Sequence, residues 1–212
     1  MKFVLASQNK HKLVEMDAIL SNYGVEVVLQ SELGVRIDVE ETGTTFAENA
    51  MLKAKAVMEA TGLPAIADDS GVCVDALNGA PGIYSARYGG EGLDDIARYR
   101  LLLANMSGVT NRAAHFTSAI ACIFPNGDTL EAEGICPGTI AFAPMGDGGF
   151  GYDPVFFLPQ LKKTYAQLTP EEKAGVSIVA RLWLCSRRSW KSISKSNLHP
   201  HRGERINYGT DK

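Results

Sequence analysis

Leu63-Pro64-Ala65-Ile66-Ala67-Asp68-Asp69-Ser70-Gly71 runs an apolar segment, of the kind a buried strand requires, straight into two carboxylates. Burying an unpaired carboxylate is costly, so the acids call for a metal, a shared proton or a cationic neighbour. The stretch therefore predicts a strand that ends on a functional acid pair. An ordinary Asp-Ser-Gly turn is the competing reading.

Immediately upstream, Thr45 and Glu48 stand at capping-box spacing before a helix whose apolar side carries Phe46, Ala47, Ala50, Met51, Ala54, Val57 and Met58. Thr61-Gly62 closes it. Asn49 and Lys53 lie one turn apart on that helix and share a face near its start, where an anion is favoured; a solvated polar face is the alternative. The acidic stretch Asp38-Val39-Glu40-Glu41 precedes it. At the start of the chain, Lys2 to Ser7 predicts a strand. Gln8-Asn9-Lys10 reads as a loop, and a helix follows with Leu13, Met16, Ile19 and Leu20 on one face. Such a helix start offers free N–H groups and partial positive charge beside Lys10 and Lys12, a phosphate-handling geometry; a plain βα unit is the alternative. Val25 to Gln30 predicts a further strand.

Downstream, Gly79 to Gly90 predicts a shaped loop with Arg87 held between Tyr84 and Tyr88. Asp94 to Met106 predicts a helix with Ile96, Tyr99, Leu102, Leu103 and Met106 inward. His115 to Phe124 and Thr129 to Phe142 read as an antiparallel pair turning at Pro125-Asn126-Gly127-Asp128. The run Gly146 to Leu158 sets glycines, two aromatics and Asp153 before a strand, so Phe150 or Tyr152 could stack on a planar ligand or pack into the core.

With 212 residues, 45% apolar and 21% charged, the chain is long enough for one well-buried domain or two small lobes. No stretch approaches the roughly 18 apolar residues of a membrane span, and the start lacks a signal peptide, so a cytoplasmic protein without membrane partners is expected. Cys73, Cys122, Cys136 and Cys185 are scattered, which argues against a zinc site or disulfide framework. Residues 1–177 carry 13 Lys/Arg against 22 Asp/Glu, a charge of −9, whereas 178–212 carry 8 against 2, a charge of +6. The acidic body disfavours nucleic acid and tolerates a small phosphate ligand bound with a metal. No Gly-x-x-x-x-Gly-Lys-Ser/Thr loop or Asp-x-Asp pair points to other phosphoryl-transfer families.

Six motifs in order, Ser7 to Lys12, Glu40-Glu41-Thr42-Gly43, Phe46 to Ala50, Ile66 to Gly71, Gly79 to Tyr88 and Gly148 to Pro154, resemble the inosine triphosphate pyrophosphatase family, the RdgB-like dITP/XTP pyrophosphatases. The resemblance covers residues 1–177 as one pyrophosphatase domain. It implies an α/β fold with a long twisted mixed sheet flanked by helices, two lobes with the active cleft between them, and a homodimer. It implies Mg²⁺-dependent hydrolysis of ITP, dITP and XTP to the monophosphate and pyrophosphate. Under it, Glu41 and Asp69 would hold Mg²⁺, Asp69 would also activate water, and Asp68 would stand behind them or hold a second ion. Ser7, Gln8, Asn9, Lys10, His11 and Lys12 would cradle the phosphates, with Lys53 and Ser70. Phe150, Gly151, Tyr152 and Asp153 would form a wall against the purine, with Lys173 on the base or ribose side.

The family reads the purine's 6-oxo group with a Ser-His-Arg-Gly segment four residues beyond that lysine. Here the chain has Ser177-Ile178-Val179-Ala180, and the charge sign and composition change at the same point. A reading-frame change is the economical explanation. The segment from Ser177 to Trp183 can be written with the codons AGC ATC GTG GCA AGG CTA TGG, and one C added after the first codon turns that choice into Ser-His-Arg-Gly-Lys-Ala-Met. Residues 178–212 are then an aberrant basic tail, expected to pack poorly. The alternative function is a nucleotide-binding dimer with impaired turnover.

Overall fold

A computed structural model describes residues 2–21, 24–176 and 204–207 of the chain. In chain order it contains β1 (Lys2–Leu5), α1 (Lys10–Leu20), β2 (Glu26–Leu29), α2 (Phe46–Thr61), β3 (Ala65–Val74), α3 (Asp95–Asn105), β4 (Ala113–Ile123), β5 (Thr129–Ile140), β6 (Phe156–Leu158), β7 (Lys163–Thr164), α4 (Pro170–Val176) and β8 (Glu204–Asn207). The sheet follows the order β2-β1-β3-β4-β5-β6-β7, with β8 pairing to β5. The fold is α/β with a mixed sheet. Two compact units share it, one of Met1–Asp69 and Ser118–Gly134 with β8, the other of Ser70–Thr117 and Ile135–Ser177.

In the first unit β1 lies parallel to β2, from Lys2↔Glu26 to Leu5↔Leu29, and parallel to β3 at Val4↔Ala65 and Leu5↔Ile66. Both faces of β1 are covered, which is why Phe3-Val4-Leu5 is uninterruptedly apolar and fully buried. Phe3, Leu5 and Ile66 pack with Met16 and Leu20 of α1, whereas Val4, Ala65 and Ala67 pack with Ala50, Ala54 and Val57 of α2. The pleat thus assigns odd and even strand positions to different helices. The cap of α2 is formed as its sequence predicts. Thr45 accepts from the Glu48 N–H at 3.1 Å, and the Glu48 carboxylate reaches back to the N–H of Thr44.

Three expected boundaries shift. β3 does not end at the diacid but continues to Val74, and each carboxylate within it meets a lysine, Asp68 with Lys12 and Asp69 with Lys53. β1 ends at Leu5, two residues before Ser7, whose hydroxyl accepts the Asn9 N–H at 3.0 Å. β2 ends at Leu29, since Gln30 opens a 3₁₀ turn and its buried amide bonds both backbone groups of Ile37.

In the second unit β5 pairs antiparallel with β6, and β6 with β7. Phe116, Phe156 and Tyr165 form an aromatic cluster with ring centroids 4.6 to 5.5 Å apart. On α3, Leu102 is buried as expected but Ile96 is 48% exposed, because it sits in the helix's first turn where less of the surface is covered. Phe142, read as the end of β5, lies beyond it and stacks its exposed ring on Arg112 at 4.6 Å. The tail expected to pack poorly lies outside the described residues except for β8, which runs parallel to Leu130–Glu133 of β5. Ser177 and the segment assigned to a frame change also lie outside them.

Candidate active site

Because β3 continues through the diacid, its pleat separates the two acids. Asp68 shares the parity of Ile66 and points with it toward α1. Asp69 shares that of Ala65 and Ala67 and points toward α2. Each meets a lysine there. Lys12 of α1 pairs with Asp68 at 2.7 Å, and Lys53 of α2 pairs with Asp69 at 2.9 Å. Lys53 also bonds Glu41 at 3.0 Å, so one ammonium bridges two carboxylates. Asn49, one turn before Lys53, donates to the second oxygen of Asp69 at 3.4 Å and accepts from the Gly43 N–H at 2.8 Å. Gly43 is required by this close approach, since a Cβ would come within 2.6 Å of the Asn49 oxygen.

The electrostatics follow from burial. Burial alone would lower the Lys53 ammonium, but Asp69 and then Glu41 reverse this and hold it above the ordinary lysine value. Burial raises the Asp69 carboxyl, the Glu41 charge raises it further, and Lys53 and Asn49 offset only part of this. Two acids sharing one ammonium leave a net negative charge in a mostly buried place.

That deficit suits a small divalent cation. Among the described residues no group of three His, Cys, Asp or Glu side chains is gathered for a metal. Mg²⁺ does not need one, since it is held by one or two carboxylates together with water and substrate phosphate oxygens. Glu41 and Asp69 match that donor set in number and in hardness: the two share the single Lys53 ammonium, whereas Asp68 has Lys12 to itself.

The second unit carries a different cluster. Asp153, 5% exposed, accepts from Lys173 at 2.8 Å and from the Phe150 N–H at 3.2 Å through the same oxygen. The Lys173 ammonium lies 5.3 Å from the centre of the Phe150 ring, which is 48% exposed. Burial dominates Asp153 and raises its carboxyl, against the pull of Lys173 and the Phe150 N–H. Gly149 takes a positive φ of 78°, and a Cβ there would run into the Asp153 carboxylate.

Residues 3–181 match the family model described as the Ham1 family. The chain belongs to the Ham1 family. A dITP/XTP pyrophosphatase of Nostoc sp. is 50% identical over 175 residues, covering 82% of this chain and 86% of the relative. One from Streptomyces coelicolor is 49% identical over 180 residues, covering 83% and 90%. The solved Staphylococcus aureus Ham1 protein is 42% identical with a TM-score of 0.81, covering 92% of this chain and all of its own.

In this Ham1 chain, Glu41, Lys53 and Asp69 converge through Lys53, and Lys12 joins Asp68. Ser7 and Asn9 bond each other in the β1–α1 loop, where Gln8 and Lys10 are exposed. Of His11 only the backbone is described. Ser70 is exposed on β3. Phe150, Asp153 and Lys173 come together, whereas Tyr152 takes the packing alternative: it is 5% exposed and donates its hydroxyl to the Ser85 carbonyl at 2.9 Å. Of the proposed wall, only Phe150 presents an exposed ring. Asn49 and Gly43 were absent from the expected site, although Asn49 sits one helical turn before Lys53 and Gly43 lies two residues before the cap.

Proposed function

We propose that this chain is a hydrolase that clears non-standard purine nucleoside triphosphates, ITP, dITP and XTP, by splitting them into the monophosphate and pyrophosphate. The observation that carries this reading is the bridging of Glu41 and Asp69 by Lys53, with Lys12 on Asp68 beside it. Membership of the Ham1 family and relatives named dITP/XTP pyrophosphatase support it.

Glu41 and Asp69 would hold Mg²⁺, which would neutralise triphosphate charge and polarise the phosphorus. Lys12 and Lys53 neutralise further phosphate oxygens, aided by Ser7, Gln8, Asn9, Lys10, His11 and Ser70. Water attacks the α-phosphorus, its proton passes to Asp69, and the bond between the α-phosphorus and the bridging oxygen breaks to release pyrophosphate. Burial raises the Asp69 carboxyl, the direction that makes a carboxylate a better proton acceptor. In the second unit Phe150 offers a ring to the purine, and Lys173 and Asp153 offer polar contacts, with Gly151 and Tyr152 shaping the segment. The same reading carries a cytoplasmic homodimer without nucleic-acid or membrane partners. No described helix is long and apolar enough to cross a membrane.

The departure from Ser-His-Arg-Gly after Ser177, with the change of charge sign there, is what supports a pyrophosphatase domain of 1–177 followed by a frame-changed tail. The test is pyrophosphate release from ITP, XTP and ATP, with Mg²⁺, by this chain and by a version carrying the one-base repair. Both should hydrolyse ITP. The repaired chain should prefer ITP over ATP by a ratio about tenfold larger or more, since it regains donors for the 6-oxo group. Binding of ITP without release from any of the three would instead favour a nucleotide-binding protein.

A further inference from the structure

Four consecutive residues, Phe150 to Asp153, are held by one bond within the segment and three to other parts of the second unit. The Phe150 N–H goes to the Asp153 carboxylate at 3.2 Å, and the Tyr152 hydroxyl to the Ser85 carbonyl at 2.9 Å. Asp153 is held by Lys173 of α4 at 2.8 Å. The remaining tie comes from 56 residues earlier in the chain. Asp95, the first residue of α3, accepts the Gly151 N–H at 2.8 Å.

Asp95 is not needed to cap its own helix, because Asp94 accepts the Ala97 N–H at 2.7 Å. Its other oxygen faces the Arg98 guanidinium at 3.7 Å, and Arg98 is largely buried whereas Asp95 is about half exposed. Arg98 therefore orients Asp95, and Asp95 anchors the backbone at Gly151. Gly151 has a positive φ of 58°, with open space where a Cβ would sit. This charge-assisted hydrogen bond ties α3 to the segment that carries the exposed Phe150 ring.

We propose that Asp95 is a positioning residue for the base: by accepting the Gly151 N–H it sets where the Phe150 ring stands. The inference rests on the reading of Phe150 as a surface for the purine. Asp95→Ala should raise KM for ITP about three- to tenfold with kcat within about twofold, the signature of lost uniform binding through a partly exposed hydrogen bond. Asp95→Asn keeps an acceptor and should restore KM to within about twofold of the parent. In a Phe150→Ala background the Asp95→Ala effect should disappear, because the two residues act through one surface.

A purely structural role predicts a lower melting temperature and a lower kcat at unchanged KM, and that result would overturn the proposal. So would a full Asp95→Ala effect persisting without the Phe150 ring. Calorimetric binding of ITP without turnover separates the two readings. If the parent binds ITP but releases no pyrophosphate, the catalytic reading falls, and Asp95 is decided by the same comparison of Kd values. If the parent does not bind ITP, both fall.

Discussion

The acid cluster of the first unit and the aromatic loop of the second each set a buried aspartate against a lysine, yet they are built by opposite means. Asp69 and Lys53 project from a strand and a helix, and their meeting follows from strand parity and helical pitch. Asp153 sits in a turn whose shape depends on glycines at positive φ and on bonds from α3 and α4. Periodic backbone places groups by its own repeat, whereas a loop places them only as far as its ties hold.

The largest expected effect tests that division. Asp69→Asn preserves shape but removes the proposed proton acceptor, and kcat for ITP should fall about 10²- to 10⁴-fold. Its KM should change little by comparison. Steady-state pyrophosphate release checks this, and a rise in KM at unchanged kcat would break the assignment of chemistry to the first unit.

Smaller effects are expected from the two glycines that frame the clusters. Gly149→Ala forces a side chain into a left-handed position and against the Asp153 carboxylate, and should cost about 1–3 kcal/mol of stability. Gly43→Ala has no such backbone strain but pushes on Asn49 and Glu48, with a loss of about 1–3 kcal/mol from overpacking. Their kinetic signatures should differ: KM rises with Gly149→Ala, and kcat falls with Gly43→Ala as Asn49 leaves Asp69. Thermal melts paired with steady-state kinetics separate the two, and identical signatures would show that the clusters do not divide the work.

The smallest effect contrasts two acids within the second unit. Asp153 is raised first by burial, so the folded protein binds its proton more tightly. Its contribution is present below the ordinary Asp range and is lost as pH rises through the folded value. Glu172, at the surface, is lowered first by the hydrogen bond from Lys163 and then by the Thr169 N–H. Its contribution is present above the ordinary Glu range and is lost as pH falls through the folded value. In urea unfolding from about pH 3 to pH 7, the parent's stability relative to Asp153→Asn should fall with pH, and relative to Glu172→Gln it should rise. Slopes of the same sign would mean that burial does not govern Asp153.

Much of this was legible in the chain. The capping spacing of Thr45 and Glu48, the apolar stripe of α2 and the Asn-Gly turn between β4 and β5 rest on local preferences that the fold leaves intact. The Lys53–Asp69 meeting was legible in part, because Asn49 and Lys53 share a helical face whatever that face meets. The ends of the strands were not. An acid pair reads as a stop until its cations are known, and Lys12 and Lys53 reach it from helices 56 and 16 residues away.

The fates of Phe150 and Tyr152 were equally hidden, since two aromatics in one glycine-rich run carry the same local signal. Only the Ser85 carbonyl, 67 residues before Tyr152, draws one of them inward. By itself the sequence determined the residue types, the helical and strand periods and the order of the motifs, because these depend on neighbours within a turn or two. Tertiary structure alone decided which carboxylate meets which lysine, which ring stays exposed and that Asp95 holds the loop. Each of those depends on two distant segments meeting within hydrogen-bond reach, and no local preference encodes that distance.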